Sequence, residues 1–93
     1  MDAGKAIRNE RIRQGMSQKE LGIRLNVNNT YVCDLEKNRK YPSRKMAEKL
    51  AMALSTPYPV ILMRGIELSD IPFQKRDTYK ASLPAINALL ASL

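Results

Sequence analysis

Two closely spaced helix starts constrain this chain more than any other feature of its sequence. Ser17-Gln18-Lys19-Glu20 has the pattern of a capping box, in which the serine oxygen accepts from the third helical amide while the glutamate bonds back. Asn28 suits the N-cap of a following helix, and Asn26 tolerates the left-handed backbone that ends the helix before it. The sequence therefore predicts two short helices, over residues 18–25 and 29 to about 37, joined by a tight turn.

Apolar spacing predicts a helix before this pair. It spans about residues 3 to 14, with Ala3, Ile7 and Ile12 close to one face. Gly15 follows at the point where a left-handed glycine commonly ends a helix. We therefore expect a short amphipathic first helix.

Two further helices are predicted after the pair. Pro42 and Ser43 introduce a fourth helix over residues 44–54, and a fifth spans about 57 to 64 and closes at Gly65. The apolar face of the fourth helix comprises Met46, Ala47, Leu50, Ala51 and Leu54. The sequence thus predicts an all-α fold.

The charge of the chain is strongly positive and unevenly distributed. Sixteen Lys and Arg residues against nine Asp and Glu residues give a net charge of +7. Residues 1–54 carry 12 of these bases and 6 of the acids, whereas residues 55–93 carry 4 and 3. An anionic partner is favoured, nucleic acid first and anionic lipid second, and we expect the N-terminal half to face it.

Residue composition excludes several classes of protein. The chain has no His and one Cys, Cys33, so it lacks a set of soft zinc ligands and a nucleophile–histidine pair for acyl transfer. We therefore expect neither an enzyme nor a bound metal or cofactor. A charged N-terminus argues against a signal peptide, and the aliphatic run at residues 60–63 is far shorter than a membrane span. We expect a cytoplasmic protein that does not bind a membrane.

Several spaced features of the sequence agree with one known family. They are an Arg in the first helix, the motif G-x-S-Q-x-E-L at residues 15–21, the Leu35-Glu36 pair that ends the third helix, and basic residues followed by Pro42-Ser43. Over residues 4 to about 64 the chain resembles the phage-repressor-like, Cro/CI-type DNA-binding domain of the XRE family, which contains a helix-turn-helix. The resemblance implies a five-helix, lambda-repressor-like domain at residues 1–65. The composition shifts after Leu54, and the chain at 66–93 is predicted to be a C-terminal helical extension of that domain.

Three positions depart from the usual residues of that family. Asn26 and Asn38 stand where family members usually carry Gly, and Gly22 stands where they usually carry Ala. Because Asn tolerates a positive φ, the two Asn residues leave the predicted fold unchanged.

The resemblance implies that the third helix enters the major groove of DNA. Asn29, Thr30 and Asp34 are its predicted base-reading residues, since Asn pairs with adenine, Thr contacts the thymine methyl group and Asp accepts from cytosine. Helical periodicity independently places these three residues on the outward face. Asp34 has an alternative role, an ion pair with Arg39 or Lys37.

Other residues around these helices are predicted to bind DNA phosphates. Cations at the start of a helix oppose its dipole, so a basic run there makes sense where an anion binds. The predicted phosphate contacts are Gln18, Asn28, Arg39, Lys40, Ser43, Arg44 and Lys45. The alternative for the basic residues is an ordinary solvated charge run, and for Asn28 it is a cap alone.

Some residues are expected to be structural rather than DNA-binding. Val32 and Leu35 face the core from the opposite side of the third helix. The resemblance suggests that Arg11 and Glu36 form a partly buried ion pair that ties the first helix to the end of the third. Tyr31 is expected to pack between helices, with a contact from its hydroxyl to phosphate as the alternative.

The C-terminal extension contains an apolar stripe. Its members within residues 77–93 are Leu83, Ile86, Leu89, Leu90 and Leu93. Asp77 or Ser82 suits a helix cap, and Pro84 suits a first turn. The stripe either packs on the fourth and fifth helices of its own chain or forms a homodimer. We expect the dimer, with an interface shared by Val60, Ile61 and Met63.

These features predict a sequence-specific transcriptional regulator, a repressor from a phage or other mobile element that binds an inverted-repeat operator in double-stranded DNA as a homodimer. An antirepressor protein is a further partner of such a repressor. An alternative is a DNA-binding antitoxin whose tail from Gly65 neutralises a protein toxin. A third interpretation, a basic interaction module or membrane-surface protein, predicts binding to anionic vesicles without a preference for any DNA sequence.

Overall fold

A computed structural model of the chain describes residues 2–66 and 76–92. Over those two ranges the secondary structure consists of six α-helices and no strand. The helices are α1 (Ala3–Arg13), α2 (Gln18–Leu25), α3 (Asn29–Glu36), α4 (Arg44–Ala53), α5 (Tyr58–Arg64) and α6 (Arg76–Ala91). The predicted all-α fold is therefore confirmed, and the first five helices match their predicted bounds to within one residue.

Side chains cap the first four helices. The capping oxygens of Ser17, Asn28 and Ser43 lie 3.0, 2.9 and 3.1 Å from the backbone nitrogen three residues later. Asp2 caps α1 in the same way, accepting from the Lys5 amide at 2.8 Å. The sequence prediction placed the start of the first helix correctly but missed this cap.

Left-handed residues end the helices where they were predicted. Gly15, Asn26 and Asn38 have φ values of 70°, 59° and 60°. Gly65 follows α5 as predicted but has a φ of −87°, so its conformation does not require glycine. A Cβ atom at this position would overlap the side chain of Ala6. Gly65 therefore allows the end of α5 to approach α1 closely.

The core lies among α1 to α5. In this core α1 packs against α3 and α5, α2 packs against α3 and α4, and α4 packs against α5. The buried apolar side chains are Ala6, Ile7, Met16, Leu21, Leu25, Val32, Leu35, Leu50, Ala53, Leu54, Val60 and Ile61. Burial of each large aliphatic side chain contributes roughly 1.5–3 kcal/mol. The predicted inward positions of Val32 and Leu35 are confirmed.

The predicted apolar face of α1 is wrong at Ile12, which is 49% exposed. The buried positions of this helix include Ile7, Glu10 and Arg11, which follow helical spacing. Ile12 lies about 140° around the helix from Ile7. Two charged residues occupy the inward positions because they form buried ion pairs, which apolar spacing does not reveal.

Two of the residues predicted to share a dimer interface lie inside the domain instead. Val60 and Ile61 are buried in the core of the single chain, whereas Met63 is 41% exposed. Val60 and Ile61 are therefore committed to packing α5 onto the domain. Of the three, Met63 keeps an accessible side chain.

The structure of α6 differs in part from the prediction for the extension. Ser82 and Pro84 lie well inside this helix, so Ser82 is not its cap and Pro84 is not in its first turn. Pro84 removes one backbone hydrogen bond there. Leu83 and Ile86 are half-buried, Leu89 is 61% exposed, and none of the described α6 side chains is buried. Leu93 and the side chains of Asp77 and Leu90 lie outside the described residues.

Candidate nucleic-acid interface

The outward face of α3 carries exposed polar side chains at its N-terminal end. Asn29 and Thr30 occupy the first turn and are both exposed, while Val32 and Leu35 on the opposite face are buried. Asn28 precedes them as the N-cap and is also exposed. The N-terminus of α3 therefore presents amide and hydroxyl groups to the outside while its other face anchors the helix.

Asp34, the third predicted base-reading residue, is partly enclosed. Arg39 Nη1 lies 3.7 Å from its Oδ1, which corresponds to the ion-pair alternative predicted with Arg39. The amides of Arg39 and Lys40 both donate to the Asp34 carbonyl oxygen, at 2.8 and 3.3 Å. The Asp34 side chain is 20% exposed and is therefore less accessible than Asn29 or Thr30.

Residues 39–45, called the basic segment below, form a second exposed surface beside α3. Its polar and basic members, all exposed, are Arg39, Lys40, Ser43, Arg44 and Lys45. The ion pair of Arg44 with Glu48 is 3.8 Å long and almost fully solvated, so it neutralises little of the positive charge. Ser43 caps α4, and Arg44 and Lys45 lie in the first turn of this helix, at the positive end of its dipole. The segment has the charge and the helix N-terminus that phosphate binding requires.

One tyrosine contacts the basic segment and a second belongs to it. Tyr31 is half-buried and packs under Lys40, whose Nζ lies 5.0 Å from the ring centroid, a cation–π distance. Because Lys40 lies in no helix, the packing of Tyr31 between helices stays a prediction. Tyr41 is 75% exposed and was missed in the sequence prediction. The available signal was an aromatic residue within a basic run, where its hydroxyl offers a further donor to phosphate.

Gln18 connects the start of α2 to a buried ion pair. Its Nε2 donates to Glu36 Oε1 at 3.2 Å, so one of its N–H groups is already engaged. Arg11 binds the same carboxylate through two bonds of 2.7 and 3.0 Å and also donates to the Met16 carbonyl at 2.8 Å. The predicted pair of Arg11 and Glu36 is therefore confirmed. The bond to Glu36 outweighs burial and raises the pKa of Arg11.

Other basic residues are committed elsewhere in the domain. Arg24 donates to the Ala53 carbonyl at 3.1 Å, and Lys49 donates to the Leu25 carbonyl at 3.0 Å. These carbonyls lie at the C-terminal ends of α4 and α2, where cations are favourable. Arg24 and Lys49 therefore connect α2 to α4, and the basic segment places four exposed cations beside α3.

A metal-binding cluster and a membrane-spanning helix were both sought in the part of the chain that the structure describes. Within residues 2–66 and 76–92, no three His, Cys, Asp or Glu side chains are grouped to hold a metal ion. None of the helices described there combines the length and apolar character needed to cross a bilayer.

The arrangement of α2, the turn at Asn26 and α3 defines a helix-turn-helix protein. The model of a helix-turn-helix family matches residues 7–61, more than half of the chain. The chain belongs to this family, and the resemblance to the XRE-type DNA-binding domain is confirmed. It is a DNA-binding transcription regulator of the XRE type, from a family of regulatory domains that are generally not enzymes. Searches of the curated proteins and of the solved structures found no match.

Proposed function

We propose that this regulator is a repressor from a phage or other mobile element and that it binds an inverted-repeat operator as a homodimer. The observation that carries the proposal is the exposed polar N-terminus of α3, with Asn29 and Thr30 outward and the opposite face locked in the core. Repression as the sense of regulation rests on the resemblance to phage repressors.

Base reading is assigned mainly to Asn29 and Thr30. An Asn side chain pairs with adenine through two hydrogen bonds, and a Thr methyl group contacts the methyl group of thymine. Asp34 contributes to base reading when its carboxylate leaves the long ion pair with Arg39 and meets a cytosine amino group. The proposed order of importance follows exposure, with Asn29 and Thr30 before Asp34.

Phosphate binding is assigned to the basic segment and to the starts of α2 and α3. Arg39, Lys40, Arg44 and Lys45 supply charge, while Ser43, Asn28 and Gln18 lie at helix N-termini where backbone amides favour an anion. Phosphate contacts fix the position of the protein on DNA without reading the sequence.

A matched pair of charge substitutions tests the phosphate assignment. Lys45→Gln should weaken binding to operator and mixed-sequence DNA alike and reduce the steepness of the salt dependence by roughly one. Lys80→Gln removes the same charge from an exposed position on α6 and should leave that steepness unchanged. Equal effects of the two substitutions would show that Lys45 acts through net charge alone.

Homodimer formation is assigned to α6. Its half-buried Leu83 and Ile86 and exposed Leu89 form an apolar surface that the described part of the chain covers only in part. Two recognition helices on successive major grooves of one DNA face must lie about 34–36 Å apart. A symmetric contact outside the helix-turn-helix fixes that distance.

Selection of bound sites from random duplex DNA tests the proposed function. We expect an inverted repeat whose half-sites are separated by about one helical turn or a multiple of it. Expression of a reporter should then fall when the selected site is placed over its promoter. Recovery of single, unpaired half-sites would contradict the dimer, and increased expression would contradict repression.

The antitoxin alternative uses the same partly covered apolar surface of α6. A toxin that covered Leu83, Ile86 and Leu89 would bury the same apolar surface that a second copy of the chain would bury. The chain purified from its native source distinguishes the two, because an antitoxin brings a second protein in stoichiometric amount, whereas a repressor homodimer does not.

A further inference from the structure

Asn38 has a side-chain environment that its backbone conformation does not explain. Asn26 and Asn38 both end a helix in the left-handed region, with φ values of 59° and 60°, and both positions would accept glycine. The side chain of Asn26 is exposed and forms no hydrogen bond with any part of the chain that the structure describes. The side chain of Asn38 is half-buried and forms two. The two asparagines therefore differ in the hydrogen bonds of their side chains and not in their backbone conformation.

The Asn38 carboxamide joins the end of α3 to the start of α1. Its Oδ1 accepts from the Gly4 amide at 3.0 Å, and its Nδ2 donates to Asp2 Oδ1 at 2.7 Å. Asp2 Oδ1 also accepts from the Lys5 amide at 2.8 Å. First-turn amides of a helix lack partners within the helix, so this arrangement satisfies two of those of α1. We call the set of Asp2, Gly4 and Asn38 the N-terminal clamp.

The backbones in the clamp lie in direct contact. A Cβ atom on Gly4 would lie 2.5 Å from the Leu35 carbonyl oxygen and 2.6 Å from that of Glu36. Glycine is therefore required at this position, and α1 begins directly against the last turn of α3. The clamp thus fixes the end of the recognition helix against the body of the domain.

The basic segment leaves α3 immediately after the clamp. Arg39 and Lys40 follow Asn38, and their amides turn back to the Asp34 carbonyl. Lys40 then lies over the ring of Tyr31. The direction in which the segment leaves α3 is therefore fixed by the clamp at Asn38, just before the segment, and by contacts of its first two residues with α3.

We propose that Asn38 is a positioning residue for DNA binding, which through the clamp holds the basic segment in the orientation that binds phosphate. This inference rests on the proposed function, since it concerns the residues assigned to phosphate. Preorganisation lowers the entropy lost when flexible cations are ordered on a ligand. The carboxylate of Asp2 belongs to the N-terminal clamp. The hydrogen bonds from Asn38 and from the Lys5 amide lower the pKa of this carboxylate from the ordinary 3.8.

Asn38→Gly tests the proposal because it keeps the left-handed backbone and removes both side-chain hydrogen bonds. Binding to a short mixed-sequence duplex is measured over a series of salt concentrations, at a temperature where circular dichroism shows each variant to be fully folded. We expect Asn38→Gly to bind about 5–10-fold more weakly, the loss equivalent to roughly one hydrogen bond, and with a less steep salt dependence. Asn26→Gly is the matched control and should change affinity by no more than about 2-fold.

Substitutions of Asp2 test the clamp from its other side. Asp2→Asn and Asp2→Ala remove the same negative charge, so their difference in DNA affinity isolates the hydrogen bonds. Asp2→Asn keeps an oxygen that accepts from the Lys5 amide and from Asn38, and should bind DNA more tightly than Asp2→Ala. This comparison remains informative if Asn38→Gly fails to fold.

Two results would overturn the assignment of Asn38. If folded Asn38→Gly melts at a lower temperature but has the affinity and salt dependence of the wild type, Asn38 acts on stability alone. Equal affinities of Asp2→Asn and Asp2→Ala lead to the same conclusion. If the wild-type chain itself does not bind duplex DNA, the proposed function fails and this inference fails with it. Failure of the proposed function is thus seen with the wild-type chain, whereas failure of this inference alone is seen with the Asn38 and Asp2 variants.

Discussion

Glu10 lies buried in α1 although it is an acid, because basic and polar side chains enclose its carboxylate. Arg64 Nη1 donates to Glu10 Oε1 at 2.9 Å, and Arg13 and Gln14 donate to the other oxygen. Burial alone would raise the pKa of Glu10, but hydrogen bonds from Arg64 and Arg13 outweigh it and hold that pKa below the ordinary 4.5. Since Arg64 belongs to α5, this carboxylate ties the first helix to the fifth.

The pH dependence of stability follows from this lowered pKa. A carboxylate whose pKa is lower in the folded state stabilises the fold above its unfolded pKa, and that contribution is lost as the pH falls through the folded value. We expect Glu10→Gln to cost about 1–3 kcal/mol at neutral pH, because charge-assisted hydrogen bonds are lost. The difference from wild type should shrink as the pH falls below 4.5.

Urea unfolding at a series of pH values measures this effect. Glu48→Gln is the control, since Glu48 is exposed and only weakly paired, and it should change stability by at most about 0.5 kcal/mol. A cost of Glu10→Gln that stays constant from neutral pH to acid would contradict the role assigned to the carboxylate.

Inward-facing charges explain why the sequence prediction failed along α1. A prediction from apolar spacing assumes that the buried face of a helix is apolar. It therefore placed Ile12 on that face and did not place Glu10 there. The partners that make burial possible, Arg64 for Glu10 and Glu36 for Arg11, lie far away along the chain. The pair of Arg11 and Glu36 was predicted through the family resemblance and not through periodicity.

At the scale of helices, local signals predicted where the elements begin and end. An N-cap hydrogen bond joins two residues that lie three positions apart in the sequence. The caps at Ser17, Asn28 and Ser43 could therefore be predicted from a few neighbouring residues. The outward positions of Asn29 and Thr30 followed from the same register. By contrast, the bond from the Gly4 amide to Asn38 and the bond from Asn38 to Asp2 depend on how α1 packs against α3, which no local pattern contains.

The turn between α2 and α3 depends on a close backbone approach. The Val27 amide donates to the Gly22 carbonyl at 2.9 Å, and Asn26 between them is left-handed. A Cβ atom on Gly22 would lie 2.8 Å from the Val27 carbonyl oxygen. The absent side chain at Gly22 therefore allows the turn to close as it does.

Gly22→Ala should destabilise the helix-turn-helix. Alanine gains about 1 kcal/mol of helix propensity over glycine, but forcing extra volume against a packed neighbour costs about 1–3 kcal/mol. We expect a net loss of about 1 kcal/mol, because the opposing atom is backbone that leads directly into the cap of α3. Thermal denaturation compared with Lys19→Ala, on the exposed face of α2, measures it. A Gly22→Ala protein more stable than wild type would show that the turn accommodates the added methyl group without a loss of stability.

At the scale of the whole molecule, we propose that the domain binds DNA and that its extension forms the dimer. Every buried apolar residue that the structure describes lies between Ala6 and Ile61, so no described side chain of α6 belongs to that core. Deletion of residues 78–93 should therefore leave a folded helical domain. It should also leave a monomer that binds the operator more weakly, because the second half-site contact is lost. Analytical ultracentrifugation and thermal denaturation measure the two effects.

A point substitution sharpens the same prediction. Leu89→Lys places a charge on the apolar stripe of α6, whereas Ala88→Lys places it on another face of the helix. We expect the first to dissociate the dimer and the second to leave it intact. A truncated chain or a Leu89→Lys variant that still sediments as a dimer at micromolar concentration would contradict the role of α6.

The central claim, that the N-terminus of α3 reads bases, is tested most directly by base-preference profiles of wild type and Asn29→Ala. Each protein is used to select sites from the same random duplex library. The account predicts that Asn29→Ala loses preference at one position of each half-site, with a cost of about 1–3 kcal/mol on the wild-type site and little change on mixed-sequence DNA. Identical profiles, or a uniform loss of affinity for all sequences, would contradict it.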